Sequence, residues 1–484
     1  MTILPPFPNS SEPQPRYIGL DLHSEEIQLH VTLADGSSLR PVRFATSAAN
    51  VNQLRSELSP QDAVAMEATT NAFTVARLLK PSGARVMVSD QRKTKMIAEA
   101  KVSTDKIDAR VISELLRVDY LPEVWLPDEQ TEELRHLMSD RQSNVDRRTE
   151  VKNRIHAILH RRLLKCANLF DSKEGKALLD NLESEDSPLS VVERSRLKLS
   201  REELQHLEQL VVENDRSIAR FVVADGALHH RLNRLLTIPG VSLVVGAGLL
   251  AAIGDVTRFK KAKLLPSYFG LVPSTYQSGS SEGYHGPITK RGRKQARWLL
   301  LEAAEHTVKA PGPLHAFYLR LKKKRNHNVA KTAVARKMAE IIWHLLTQDE
   351  DYLYQIPKLT QDKQARVLYL ATGQKAQGGI KKGEKRSALY GTGLKGSRVK
   401  KAVAGEAATQ AEEKYQALVA ERAAGHKTHS PDGQCLIRQQ QTALDPLRPQ
   451  AADWETEIAR IRDRILNQTP KKEIKRRQAG VSAK

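Results

Sequence analysis

From Tyr17 onward, apolar and polar side chains fall into short extended runs. YIGLDLH is an apolar run ending in polar residues, EIQLHVTL alternates, ADGS supplies a turn and LRPVRF makes a third extended segment. Three strands joined by tight turns follow from that period of two. In SAANVNQLRSEL the apolar residues Val51, Leu54 and Leu58 change to helical spacing, and Pro60 stops the helix. AVAME reads as a buried strand, TNAFTVARLLK as a helix and RVMVS as another strand, and helical segments run from Gln91 to Arg117. Beyond Asp128 strand signals almost vanish. Apolar residues recur at Leu134, Leu137, Val145, Val151, Ile155, Ile158 and Leu163, and again at Leu204, Leu207, Leu210, Val211, Ile218 and Phe221. That spacing predicts two long amphipathic helices, antiparallel to each other.

The order of three strands, helix, strand, helix, strand, helix predicts a ribonuclease-H-like α/β domain over 17–125, with an antiparallel meander at one side of its sheet. A proline-rich, disordered leader over 1–16 precedes it. A helical coiled-coil hairpin over 126–230 follows, which either joins domains or dimerises. A second, mostly helical domain spans 231–348, and a basic, partly disordered extension fills 349–484. Within that extension GQKAQGGIKKGEKRSALYGTGLKGSRVKK is glycine-rich and basic, and Trp454, Ile458, Ile461 and Ile465 keep the spacing of a short helix or coiled-coil seam.

Charge changes the picture next. Among 484 residues, 77 Lys and Arg face 56 Asp and Glu, a formal net charge of +21. A polyanionic partner accounts for this, because each cation that neutralises a phosphate releases a condensed counterion. The plain alternative is a merely soluble basic protein. Cys166 and Cys435 lie far apart without a CxxC partner, which excludes a zinc ribbon or a disulfide framework and suits a reducing cytoplasm. MTILPPFPNSSEPQP lacks the pattern of a signal peptide. The longest apolar run, Val241 to Ile253, is too short to span a bilayer and reads as a buried helix. A soluble, cytoplasmic protein without a membrane partner is expected.

Four acids stand where such a domain can use them. Asp21 sits amid Ile18, Leu20 and Leu22, where an ionised side chain is costly unless a positive charge offsets it. Glu67 ends the AVAME strand. Asp105 and Asp108 in STDKIDAR share one face of a helix by their i, i+3 spacing. The first and fourth strands are neighbours in the predicted fold, and this helix packs beside their ends, so the four carboxylates can meet. Magnesium takes hard oxygen ligands, and two-metal nucleases hold their ions roughly 3.5–4 Å apart between carboxylates. Taken singly, each acid has a plainer reading, as a turn residue or, for Asp105, a helix cap.

The second domain holds a Gly/Ser loop around Ser278, followed by Lys290, Arg291, Arg293, Lys294 and Arg297. A serine among cations can attack a phosphodiester, since the cations stabilise the developing charge. The alternative is a phosphate-contacting loop in which Ser278, Ser280 and Ser281 only solubilise. Pro239 and Gly240 turn the chain before the apolar helix. That segment is either a helix-hairpin-helix whose backbone N–H groups bind a phosphate, or a plain core hairpin. Lys322, Lys323, Lys324 and Arg325 form a further candidate nucleic-acid contact, or a solvated charge run; Trp298 and Trp343 read as core.

GLDLH, AMEATT, TDKIDA, LLTIPGVSLVVGAGLLAAIGDVTRF, YFGLVPSTYQSG and GPITKRGRKQARWLLLEAA, in this order, resemble the DEDD transposases of the insertion sequence 110 family over 17–346. That resemblance implies a RuvC-like N-terminal domain and a Transposase-20-type C-terminal domain. It implies Mg2+, with Mn2+ as a substitute, held by Asp21, Glu67, Asp105 and Asp108, and Ser278 as a nucleophile that joins covalently to a cut strand. The implied partners are DNA (element ends or a circular element, and a target), a structured guide RNA encoded by the element, and further copies of the chain as dimers assembling into tetramers. Acids and serine in separate domains lead to the expectation that subunits complete each other's sites. Two rival readings stand beside it: a junction-resolving, RNase-H-like nuclease using water, and a non-catalytic nucleic-acid-binding protein. The tail from 350 has no counterpart in the family's usual plan.

Overall fold

The computed structural model describes residues 2–6, 14–98, 105–277, 284–374, 451–468 and some positions between 402 and 413. The chain divides into two compact units, Met1–Asp128 and Glu129–Lys484.

In the first unit the strands are β1 (Arg16–Leu22), β2 (Glu26–Leu33), β3 (Val42–Ala45), β4 (Ala63–Glu67), β5 (Arg85–Ser89) and β6 (Glu123–Val124). The helices are α1 (Ala48–Glu57), α2 (Ala72–Leu79), α3 (Gln91–Ala98) and α4 (Asp105–Arg117). Strand order is β3-β2-β1-β4-β5-β6, with β1, β2 and β3 antiparallel and β4 parallel to both β1 and β5. The expected meander is therefore present, beside a parallel centre. Two-residue β6, antiparallel to β5, is too short to show a period in the sequence.

Alternation along each strand makes the two faces unlike. Ile18, Leu20, Leu22, Ile27, Leu29, Val31, Val64 and Met66 join one core with Val51 and Leu54 of α1 and Val75, Ala76 and Leu79 of α2. Burying each large side chain contributes about 1.5–3 kcal/mol. The opposite face carries Gly19, Asp21, Gln28, His30, Thr32, Ala65 and Glu67, and α4 lies across it with Ala109, Ile112 and Leu116 buried. Gly19 makes this possible. A methyl group there would collide with the Ala109 carbonyl oxygen, so α4 rests directly on the β1 backbone.

The expectation of a disordered leader fails for the first residues described. Ile3 and Leu4 are buried in the apolar core, and the Ile3 amide donates to Glu57 Oε1 at 2.9 Å. Arg16, assigned to the leader, opens β1 and makes a buried two-pronged pair with Asp62, 2.7 Å at its shorter contact.

The second unit contains α5 (Glu129–Arg161), α6 (Lys173–Leu182), α7 (Val191–Ala224), α8 (Gly226–Leu236), α9 (Leu243–Ile253), α10 (Leu264–Tyr268), α11 (Lys294–Thr307), α12 (Pro313–Lys322), α13 (His327–Gln348), α14 (Pro357–Thr372) and α15 (Ala451–Gln468). A two-stranded sheet of β7 (Pro273–Tyr276) and β8 (Tyr284–Ile288) stands among them. Helices α5 and α7 run antiparallel, as Asn144–Asn214, Arg154–Glu203 and Arg162–Glu193 pair in opposite numerical order. Leu163, counted in the apolar series, lies past the end of α5 and is exposed.

Residue 230 marks no break in packing. Leu134 and Met138 of α5 and Ile218 and Val222 of α7 share one core with α8, α9, α11 and α13. Residue 349 marks none either, because Tyr352, Tyr354, Ile356 and Val367 join that core. The glycine-rich stretch of the extension lies outside the described residues, while the seam near the end is helical, with Ile458 and Ile461 buried. Trp343 is partly buried and donates to the Phe259 carbonyl at 2.8 Å, but Trp298, expected in the core, is exposed. Among the described residues no helix is long and apolar enough to cross a membrane.

Candidate active site

Asp21 and Glu67 stand at the carboxyl ends of adjacent parallel strands. Leu20 pairs with Met66 in the β1–β4 register, so the next residue on each strand is an acid, on the face that α4 covers. Neighbouring strands lie about 4.8 Å apart, which sets the spacing of the two backbones. Asp108 comes from α4, directly before the Ala109 that rests on Gly19. Asp105 is the first residue of α4, one turn earlier, and its side chain lies outside the described residues.

Electrostatics ties the three described acids together. Burial raises the Glu67 carboxyl above its ordinary value, Lys95 of α3 opposes this, and the negative charges of Asp108 and Asp21 both add to the rise. Gln91 donates a hydrogen bond to Glu67. Asp21 Oδ2 lies 3.2 Å from His23 Nε2. Among the described residues no group of three or more His, Cys, Asp and Glu is gathered closely enough to hold a metal ion. The donors themselves fit a hard divalent cation: all are carboxylate oxygens, and their mutual repulsion is what such an ion would relieve.

Beneath these acids α4 is pinned by polar contacts on the same face. His30 Nδ1 lies 2.9 Å from Ser113 Oγ, and Thr32 Oγ1 lies 2.8 Å from it, while Ser113 donates to the Arg110 carbonyl at 2.8 Å. His23, Lys95, Gln91 and the His30–Ser113 pair escape the reading of the sequence. Only His23, inside the GLDLH motif, carries a signal there.

Ser278 lies outside the described residues, between β7 and β8. The cations after β8 differ among themselves. Lys290, Arg291 and Lys294 are exposed, whereas Arg293 Nε donates to the Tyr268 hydroxyl at 2.9 Å and Arg297 Nη1 to the Phe269 carbonyl at 2.9 Å. Arg293 and Arg297, expected at a nucleic acid, thus also brace the segment before β7. Burial would raise the Tyr268 hydroxyl, but Arg293 and Arg258 outweigh it and hold it below its ordinary value.

The turn at Pro239 and Gly240 is packed into the unit. Pro239 is buried, its carbonyl accepting from Thr307 Oγ1 at 3.1 Å, and a side chain at Gly240 (φ +102°) would collide with Thr307. Lys363 of α14 closes the other side, donating to the carbonyls of Leu236 at 2.6 Å and Ile238 at 2.7 Å. The plain core hairpin describes Pro239 better than a phosphate contact does. Lys322 at the end of α12 and Lys323, Lys324 and Arg325 in the α12–α13 connection are all exposed. Below them Tyr318, His327 and Glu305 form a chain of hydrogen bonds at 2.8 and 3.0 Å.

Comparison with known proteins bears on both units. Residues 18–162 match the family model of DEDD transposases of IS110 type, described as Transposase, and residues 232–319 match the model described as Transposase IS116/IS110/IS902 family. A probable family 20 transposase of Pseudomonas aeruginosa is 28% identical over 344 residues, covering 69% of this chain and 98% of the relative. The transposase for insertion sequence element IS1328 of Yersinia enterocolitica is 27% identical over 348 residues, with the same two coverages of 69% and 98%. The pilin gene-inverting protein of Moraxella bovis is 30% identical over 153 residues, 31% of this chain and 47% of that protein. With the strand-end acids in the first matched segment and the serine loop in the second, the chain belongs to the IS110 family of transposases.

Proposed function

We propose that this transposase cuts and rejoins DNA by transient attachment of a strand to Ser278, with Asp21, Glu67, Asp105 and Asp108 as the holders of Mg2+ or Mn2+. The observation that supports it most is the register that ends adjacent parallel strands on Asp21 and Glu67, on the face covered by the helix that carries Asp108, with Asp21 and Asp108 both acting to raise the Glu67 carboxyl. A bound divalent cation would neutralise these acids and draw negative charge from a reacting phosphate. Ser278 Oγ attacks the phosphorus, its proton leaves to a base or water, and the displaced sugar oxygen departs as a hydroxyl. The resulting phosphoserine ester keeps the energy of the cut bond. A hydroxyl from a second strand then attacks that ester, restoring the serine and a phosphodiester.

Exposed Lys290, Arg291, Lys294 and Lys322–Arg325 contact phosphates in this reading. Element-end, circular and target DNAs are the substrates, an element-encoded structured RNA pairs with them, and dimers assemble into tetramers.

The test is a denaturing trap for DNA attached to the protein. Wild-type chain with Mg2+ and element-end DNA gives the covalent species; Asp21→Ala, Ser278→Ala and chelation each abolish it. Full cutting by Ser278→Ala, releasing free ends, would establish the water-using nuclease instead. Salt-sensitive binding without any cleavage by the wild-type chain would leave the non-catalytic binder.

A further inference from the structure

We propose that Arg135, Arg258 and Arg293, gathered around the Tyr268 hydroxyl, form a seat for one backbone phosphate of DNA. The four residues lie on α5, after α9, directly before α11 and at the end of α10, and all are half-buried within the second unit. Arg293 Nε donates to the Tyr268 hydroxyl at 2.9 Å. Arg258 is hydrogen-bonded to the same hydroxyl, and its guanidinium lies 4.5 Å over the Tyr268 ring. Arg135 stands near both other arginines: burial first, then their charges, push its guanidinium down to about 10.

Part of this cluster has a plain structural use. Arg135 Nε donates to the Ala251 carbonyl at 2.8 Å and Arg258 Nε to that of Ile253 at 3.0 Å, so two of the cations cap the carboxyl end of α9. A helix end offers only about half a negative charge. Glu132 acts on Arg135 and Asp255 on Arg258, but Arg293 has no acid partner among the described residues. Its terminal amino groups, part of a planar fork that matches phosphate, have no hydrogen-bond acceptor there either. Both hydrogen bonds to Tyr268 come from groups that only donate, so the phenolic proton is left for a further acceptor. A phosphate supplies acceptors for the fork and the phenol, and its charge relieves the repulsion among the arginines.

The surroundings point to a polymer rather than a lone ion. The backbone of 290–293 runs against Tyr268 and Gly270, the Lys290 amide donating to the Gly270 carbonyl at 3.1 Å and the Arg293 amide to that of Tyr268 at 3.3 Å. Lys290, Arg291 and Lys294 are exposed on this segment. Lys260, Lys261 and Lys263 are exposed on another, which leaves from Phe259, whose ring lies 5.3 Å from that of Tyr268. Cations on two segments that meet at the seat suit successive phosphates of one strand. In a transposase that strand is DNA. The seat reads no base and fixes where the backbone lies, and it needs neither Ser278 nor a metal ion.

The experiment measures binding of the full-length chain to a labelled duplex DNA across a salt series, in chelator so that no cutting intervenes, with thermal melts of each free variant. Tyr268→Phe removes a hydroxyl and no charge. It should weaken DNA binding on the order of tenfold while keeping the salt slope. Arg135→Gln combined with Arg293→Gln should lower the slope by about one. Arg293→Lys keeps the charge but loses the fork, and should weaken binding with the slope retained. Where the double variant fails to fold, Tyr268→Phe and Arg293→Lys carry the test. Lower melting temperatures with DNA affinity and slope unchanged overturn the proposal, leaving the arginines as the cap of α9. Loss of binding to an RNA duplex of the same sequence with DNA binding intact also overturns it. So does a wild-type melting temperature raised as much by inorganic phosphate as by the DNA, which makes the seat a small-anion site. Because no cleavage is read, failure of the serine or metal assignment leaves these outcomes unaltered.

Discussion

His30 Nδ1 and Ser113 Oγ, 2.9 Å apart, join β2 to α4 inside the N-terminal unit. Ser113 has one hydroxyl proton and gives it to Arg110, so both His30 and Thr32 must donate to its lone pairs. That fixes the His30 tautomer with its proton on Nδ1. Ser113→Ala would strand two buried donors, each costing about 1–3 kcal/mol. The expected outcome is a lower urea midpoint and a weaker response to Mg2+, because the helix carrying Asp108 is less firmly held. An unchanged Mg2+ midpoint would reduce the network to a purely stabilising role.

The same histidine sets a pH dependence. Burial, then the charge of Arg110, lowers the His30 value, with Glu114 opposing. Its folded value is below its unfolded one, so the unfolded chain binds the proton more readily. This contribution is present above about pH 6.5 and is lost as pH falls through the depressed value. Urea midpoints between pH 7.5 and 5 should fall more for wild type than for His30→Asn.

Glu67 works with the opposite sign. Its raised value means that the folded, metal-free chain holds a proton more tightly than the unfolded chain does. Stability from this group is present below its ordinary value of about 4.3 and is lost as pH rises through the raised one. Glu67→Gln should therefore melt at or above the wild-type temperature in chelator at neutral pH. With Mg2+ the order should reverse, as only wild type gains. Thermal melts with and without Mg2+ decide it, and equal gains in both proteins would remove Glu67 from the metal site.

Lys363 ties α14 to the turn before α9, and burial pushes its ammonium down to about 7. Between there and about 10.4 the unfolded chain binds more protons, so stability rises with pH, by at most about 1.4 kcal/mol per pH unit. Lys363→Met should lose that rise in denaturant titrations at pH 7 and 9. A chain ending at residue 348 should be markedly less stable at either pH.

The cations after β8 should separate into two classes. Lys290→Ala and Lys294→Ala should each lower the salt slope of DNA binding by about one, with little effect on stability. Arg293→Ala and Arg297→Ala should lower the melting temperature, because each loses a hydrogen bond to the chain. Salt titration beside thermal melts distinguishes them.

How much of this was legible depended on the range of the interaction. Strands β1, β2 and β4 show in the sequence as short apolar or alternating runs, and Asp21 and Glu67 stand out as acids ending apolar runs. Helix α14 does not, since only Thr360 and Val367 of it are buried and the stripe is too sparse to mark a face. The clamp of His30 and Ser113 joins residues 83 apart, a separation no local period encodes. Charge was visible at Arg293 and Arg297, but the hydroxyl and carbonyl that occupy them were not. Which face of the sheet carries the candidate acids emerges only when the polar positions of β2 are seen beneath α4.

At Gly19 nothing but main chain separates helix from strand. A gap filled by side chains drifts as residues swap over evolutionary time; one filled by peptide groups cannot be shimmed wider or narrower by such exchanges. The offset between the strand acid and the helix acid is thus insulated from turnover in the surrounding interior, and the rest of the domain is free to diverge around it.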